Sequence, residues 1–328
     1  MKKDSGSIIG MIGIMFLYIL IGIAGAYMPF IYIFFPLLGI PLTLWVYKKN
    51  IGWIWSLGII IPLFMSMIGK LTSGMFLLLI IGIPSVLCGY QMRTKDNIPQ
   101  IIFTTGLVSF VSFFIFSFYL YIINGMDVPT LYYSYVERWQ TWFLGFLEEQ
   151  QNLLETAVKE TINSDVLFQY YGIMRMATKE ISYYLQSLFP GILLSISMIS
   201  ALIHVLFSGL IIQGMAWKEI QFHTLTQMGV SPIVSVLLFC TWLIVSTTNL
   251  EKYWILETTL SNLLFVFSLL FFYLGILLVI YIIRASKLNK ILRVLIGLFS
   301  LMWLVLSPSF FIFLGFFDGL FNLRRTNQ

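Results

Sequence analysis

Apolar stretches about 20 residues long alternate along this chain with short polar or basic breaks, and one long segment departs from the pattern. A run of about 20 apolar residues crosses a bilayer as a helix. The first half offers five such runs, Ile8–Ala26, Phe30–Tyr47, Ile51–Ile68, Gly74–Tyr90 and Ile101–Ile123. The second half offers Gly191–Gln213, Ile233–Thr247, Leu260–Ile283 and a final stretch, Ile291–Leu323. The last is long for one span and Pro308 divides it, so it reads as a kinked helix or a tight helical hairpin. Nine or ten spans follow from this count.

The exception is Asp127 to Leu188, which has two amphipathic helical patterns. Leu131, Tyr135, Trp139, Trp142, Phe146, Leu153 and Ala157 recur at helical steps, and so do Leu167, Tyr171, Met174, Ile181, Tyr184 and Leu188. Thr161 to Asp165 has the turn and N-cap chemistry of a helix stop and restart. The pattern predicts a helical hairpin outside the membrane, packing chiefly on itself, with Trp139 and Trp142 as candidate partner contacts. Residues 1–124 then form an N-terminal transmembrane half, 125–189 the hairpin and 190–328 a C-terminal transmembrane half.

Composition agrees with membrane residence. Hydrophobic residues make up 59% of the chain and charged ones 10%, against roughly a quarter charged in soluble proteins. The net charge of +5 does not point to nucleic acid, because the basic residues cluster at the ends of apolar runs. With the N-terminus in the cytoplasm, Lys48, Lys49, Arg93, Lys95, Lys218, Arg284 and Lys287 all fall inside, as the positive-inside rule requires. The hairpin, with eight acidic and four basic residues, falls outside. The expected fold is an all-α polytopic transmembrane bundle in the cell membrane with an extracellular amphipathic helical hairpin.

Candidate chemistry is sparse. No HExxH, GxSxG or P-loop pattern occurs, and no enzyme, cofactor or metal site is expected. Cys88 and Cys240 lie in apolar runs and read as small core residues. Pro29, Pro36 and Pro41 in the second run should free backbone carbonyls that need protein or water partners. An ionisable residue in mid-span is a functional candidate by default. His204 is that residue, with Ser200 and Ser208 beside it as candidate ligand contacts. The plainer reading makes it a neutral imidazole hydrogen-bonded to a neighbouring helix. Phe207-Ser208-Gly209 one turn on suggests a Ser–His dyad only weakly, since nothing in the sequence supplies an oxyanion hole. Asp318 and Arg324 read as a structural helix end. Small residues four apart, Gly6 with Gly10 and Gly22 with Ala26, permit close approach of another helix.

Several segments carry a family resemblance. Gly191 through His204 to Gly209, Leu274 to Ile283 with basic residues following, and Leu314 to Arg325, with Gly315, Asp318, Arg324 and Arg325, resemble the YybS-like family of multi-pass membrane proteins of Gram-positive bacteria, a domain of unknown function. That group is similar to the substrate-binding components of energy-coupling-factor transporters. The resemblance implies a small-ligand-binding membrane protein that docks on a separate transmembrane and ATPase module, with Gly6, Gly10, Gly22 and Ala26 as the contact stripe. It names no ligand. The alternative from another class is a membrane scaffold whose hairpin binds an envelope protein.

Overall fold

The computed structural model describes residues 16, 20, 34–48, 71–95, 97–157, 164–218, 220, 229–248, 253–285 and 289–324. Every element among them is helical. The predicted runs Ile51–Ile68 and, but for Phe16 and Leu20, Ile8–Ala26 lie outside the described residues, as do Gly6, Gly10, Gly22 and Ala26.

The second predicted run is broken. Helix α1 (Phe35–Leu38) and α2 (Ile40–Lys48) meet at Gly39. Pro36 and Pro41 flank that glycine, and neither can donate a backbone hydrogen bond, so the helical ladder is interrupted on both sides. The next span, Leu71–Thr94, is continuous but not uniform. It comprises α3 (Leu71–Phe76), a π-helical segment (Leu77–Gly82) and α4 (Ile83–Thr94).

Helix α5 (Ile98–Asn124) starts where the Asn97 side chain accepts the Gln100 N–H at 3.3 Å. It stops at Gly125, whose φ of 62° is a left-handed cap that glycine adopts without cost. Helices α6 (Val128–Ala157) and α7 (Ser164–Ser187) form the hairpin, and α8 (Phe189–Gly214) returns alongside α5. The C-terminal part has α9 (Pro232–Thr247), α10 (Trp254–Ala285), α11 (Lys290–Leu306) and α12 (Pro308–Phe321).

Four described helices are long and apolar enough to cross a membrane: Leu71–Thr94, α5, α8 and α10. Helices α11 and α12 make a fifth span only if counted together, and they bend by 114° at Ser307. The final apolar run is therefore two helices meeting at a corner, where Pro308 restarts the chain. Helix α9 is apolar but only 16 residues long. Of the nine or ten spans expected from hydropathy, four or five are present among the described residues.

The hairpin corrects the expected packing. Leu131, Tyr135, Trp139, Trp142, Phe146 and Leu153 are all exposed, with Trp142 66% accessible. The seam between α6 and α7 instead uses Val136, Leu147 and Gln151 against Tyr171, Thr178 and Ser182. Two helices share only one seam, and the aromatic stripe of α6 lies about 100° around the helix from it. Within the hairpin the Tyr132 hydroxyl donates to the Leu185 carbonyl at 2.8 Å and Arg175 donates to the Gln151 side-chain oxygen at 2.9 Å. Burial, and then neighbouring Tyr133, push the Tyr132 phenol pKa up.

Basic residues gather at the opposite end of α5 and α8. Lys48 lies 4.4 Å from the Trp217 ring centroid, and that ring stacks on Tyr47. Lys218 donates to the carbonyls of Met92 and Lys95 at 3.1 and 3.3 Å. Half of the surrounding loop, Gly214 to Ser231, lies outside the described residues.

Candidate functional site

The broken α1–α2 segment brings irregular backbone against His204 of α8. The ring's Nδ1 is 2.6 Å from the Pro36 carbonyl. A carbonyl only accepts, so Nδ1 carries the proton. On the other side Nε2 lies 2.6 Å from Thr43 Oγ1. In a neutral ring Nε2 can only accept, so it shares the single Thr43 proton with the Ser85 carbonyl, 3.0 Å from the same hydroxyl. The carbonyl freed by the proline-broken helix thus finds its partner in a histidine 168 residues away.

Gly39 permits this approach. A Cβ there would collide with Ser85 Oγ and would stand 2.8 Å from His204 Cε1. Next to it, the π-helical segment and Pro84 disturb the backbone of the Leu71–Thr94 span. Single π turns inside α-helices recur at functional sites. Ser85 donates to the Ile81 carbonyl at 2.6 Å, returning one hydrogen bond to that irregular turn.

A cleft of about 10 Å³ opens between these elements, lined by Ser85, Thr105, Ser109, Ser200 and His204 among apolar neighbours. All five polar residues are at most 5% exposed. The Ser109 hydroxyl donates to the Thr105 carbonyl at 2.9 Å, whereas the Thr105 hydroxyl has no oxygen or nitrogen partner and lies against the Cys88 thiol. Irregular backbone at membrane depth is tolerated where it is buried in protein or faces a cavity, and here it does both.

Two of the three candidate ligand contacts, Ser200 and His204, share this cleft. Ser208, fully buried one turn further along α8, does not line it and makes no hydrogen bond. Both ring nitrogens of His204 face Pro36 and Thr43, so no Ser208–His204 dyad forms. Thr43, Ser85 and Gly39 were missed from the sequence. Their signal was the Pro36-x-x-Gly39-x-Pro41 pattern and Pro84, which mark broken helices without saying what faces them. The partner candidates Trp139 and Trp142 lie on the outer face of α6.

The C-terminal motif residues serve packing. Helices α10 and α12 cross at Gly275 and Gly315, where any Cβ would strike the backbone of Phe311 or Phe271. Arg324 pairs with Asp318 in a buried salt bridge, with Nε 2.8 Å from Oδ2. This is the helix-end pairing expected of Asp318. Cys88 is buried as expected, but Cys240 is exposed, because it lies on the outward face of α9. No group of three His, Cys, Asp or Glu residues among the described ones could hold a metal.

Among known proteins, the family model for a predicted membrane protein (DUF2232) matches residues 16–319. No curated protein and no solved structure gave a match. The chain belongs to the DUF2232 family.

Proposed function

We propose that this member of the DUF2232 family is a transport-related protein of the cell membrane that holds a small solute at the His204 cleft. The observation that carries the reading is the convergence of two irregular helices on a buried ionisable residue. The α1–α2 break and the π-helical segment both point at one hydroxyl-lined cleft. Secondary transporters commonly build substrate sites from discontinuous helices near the membrane midplane. A cleft of about 10 Å³ is far below the several hundred Å³ of a drug-sized ligand site. The conformation described is therefore a closed one, and solute entry requires the elements around Gly39 to part.

Orientation follows from charge. Lys48, Lys95 and Lys218 collect at one end of the bundle, which we assign to the cytoplasm, and the hairpin lies at the other, outside. Docking on a transmembrane and ATPase module through Gly6, Gly10, Gly22 and Ala26 belongs to the same proposal. Native mass spectrometry of protein purified gently from its own membrane tests it. A co-purified solute lost in Ser200→Ala is expected, and no solute across a broad panel would overturn it.

One observation favours a second reading, a scaffold acting through the hairpin. The aromatic stripe of α6 and Phe168, Tyr170 and Ile173 of α7 are left open. Exposed apolar surface on this scale commonly marks an interaction site. Deleting Val128–Gln186 separates the two, because a scaffold loses its partner while a transporter core keeps its solute.

A further inference from the structure

We infer that the His204 cleft is built to bind one uncharged hydroxyl oxygen, held by Thr105, whether that oxygen belongs to water or to a hydroxylated solute. This rests on reading the cleft as the solute site. The argument is a count of protons and lone pairs. Ser85 gives its proton to Ile81 and Ser109 gives its proton to the Thr105 carbonyl. The Pro36 carbonyl is taken by His204, whose other nitrogen meets Thr43. Thr105 is 1% exposed, and its hydroxyl has no oxygen or nitrogen partner. The Cys88 thiol lies against Thr105, but sulfur is a weak hydrogen-bonding partner and does not meet the demand of a hydroxyl.

A hydroxyl stripped of water without a partner is costly, so the Thr105 proton calls for an acceptor in the cleft. Ser85 and Ser109 retain lone pairs and call for a donor. A single hydroxyl oxygen answers both at once. Its charge is fixed by what surrounds it. Among the described residues no Asp, Glu, Lys or Arg lines the cleft, and His204 has both nitrogens occupied. An ion would be desolvated there with no opposite charge to face. Its size is fixed by the volume, since about 10 Å³ accommodates about one water or one hydroxyl group.

The test uses the full chain in lipid nanodiscs, with glycerol as the hydroxylated probe and ammonium and acetate as charged ones. Saturable binding of radiolabelled glycerol, weakened at least tenfold in Thr105→Val and retained in Thr105→Ser, supports the inference with a solute as the source. Without glycerol binding, a long-lived water signal at the Thr105 methyl, seen by NMR, supports it with water as the source; the solute reading of the protein then falls. Binding of the charged probes alone, or neither signal, overturns the inference. So does glycerol binding that Thr105→Val leaves unchanged. A solute from the wider panel that binds Thr105→Val as tightly as wild type leaves the transport reading standing and removes this one.

Discussion

The region around His204 and the trio α9, α10 and α12 bury polar groups in opposite ways. Around His204 the polar groups are neutral and short. His204 and Ser85 bond to carbonyls beside the helix break and the π turn, Thr105 is left without an oxygen or nitrogen partner, and a cleft remains. In the C-terminal trio, glycines bring the α10 and α12 backbones into contact, and the polar element is an ion pair. Polar residues in apolar helices therefore carry different meanings according to the packing beside them. Broken backbone with neutral hydroxyls leaves a small cleft, whereas backbone contact with a buried ion pair leaves none.

The sharpest way to break that contrast is at the helix crossing. Gly315→Leu must push α12 off the Phe271 carbonyl, and we expect almost no monodisperse protein in detergent chromatography. Gly297→Leu, where a Cβ meets nothing within 4 Å, is the matched control and should purify like wild type. Next in size is the ion pair. Arg324→Met strands a buried carboxylate, at a cost of about 3–5 kcal/mol, and adding Asp318→Leu should recover most of it in denaturant unfolding.

The cleft should respond more gently. Gly39→Ala forces a Cβ onto Ser85 and His204, and overpacking of this kind costs roughly 1–3 kcal/mol. A thermal shift as large as that of Gly315→Leu would erase the distinction between the two regions. The smallest effect is expected from His204→Asn. Hydrogen bonds between membrane helices average about 0.6 kcal/mol, so expression should be intact and any loss should appear in solute binding. Full binding with clean folding would assign His204 to structure alone.

Parts of this contrast were legible beforehand. The prolines at 36 and 41 announced a broken helix, and the break at Gly39 leaves the Pro36 carbonyl to His204. Asp318 announced a partner, and Arg324 is six residues away on the same helix end. His204 stood out as the ionisable residue in mid-span. Thr43, Ser85 and Thr105 did not, because hydroxyls are common in membrane helices and usually bond to their own backbone, as Ser197 and Thr241 do here. The hairpin failed differently. Periodicity found both helices but chose the wrong face of α6 for the seam, while on α7 it included Tyr171, which is buried there; it reports where apolar residues cluster and not whether two helices can close over them.

The sequence alone determined that this is a helical membrane protein, where most described helices lie, and where the last run breaks. Those properties depend on the transfer free energy of single segments and on the geometry of proline, both local to a few tens of residues. Only the tertiary structure decided that His204 faces Pro36 and Thr43, that Gly275 faces Gly315, and that Trp142 faces outward. Lipid is as apolar as leucine, so burial alone does not choose a helix's neighbours. That choice rests on shape and hydrogen bonding between segments distant in the chain.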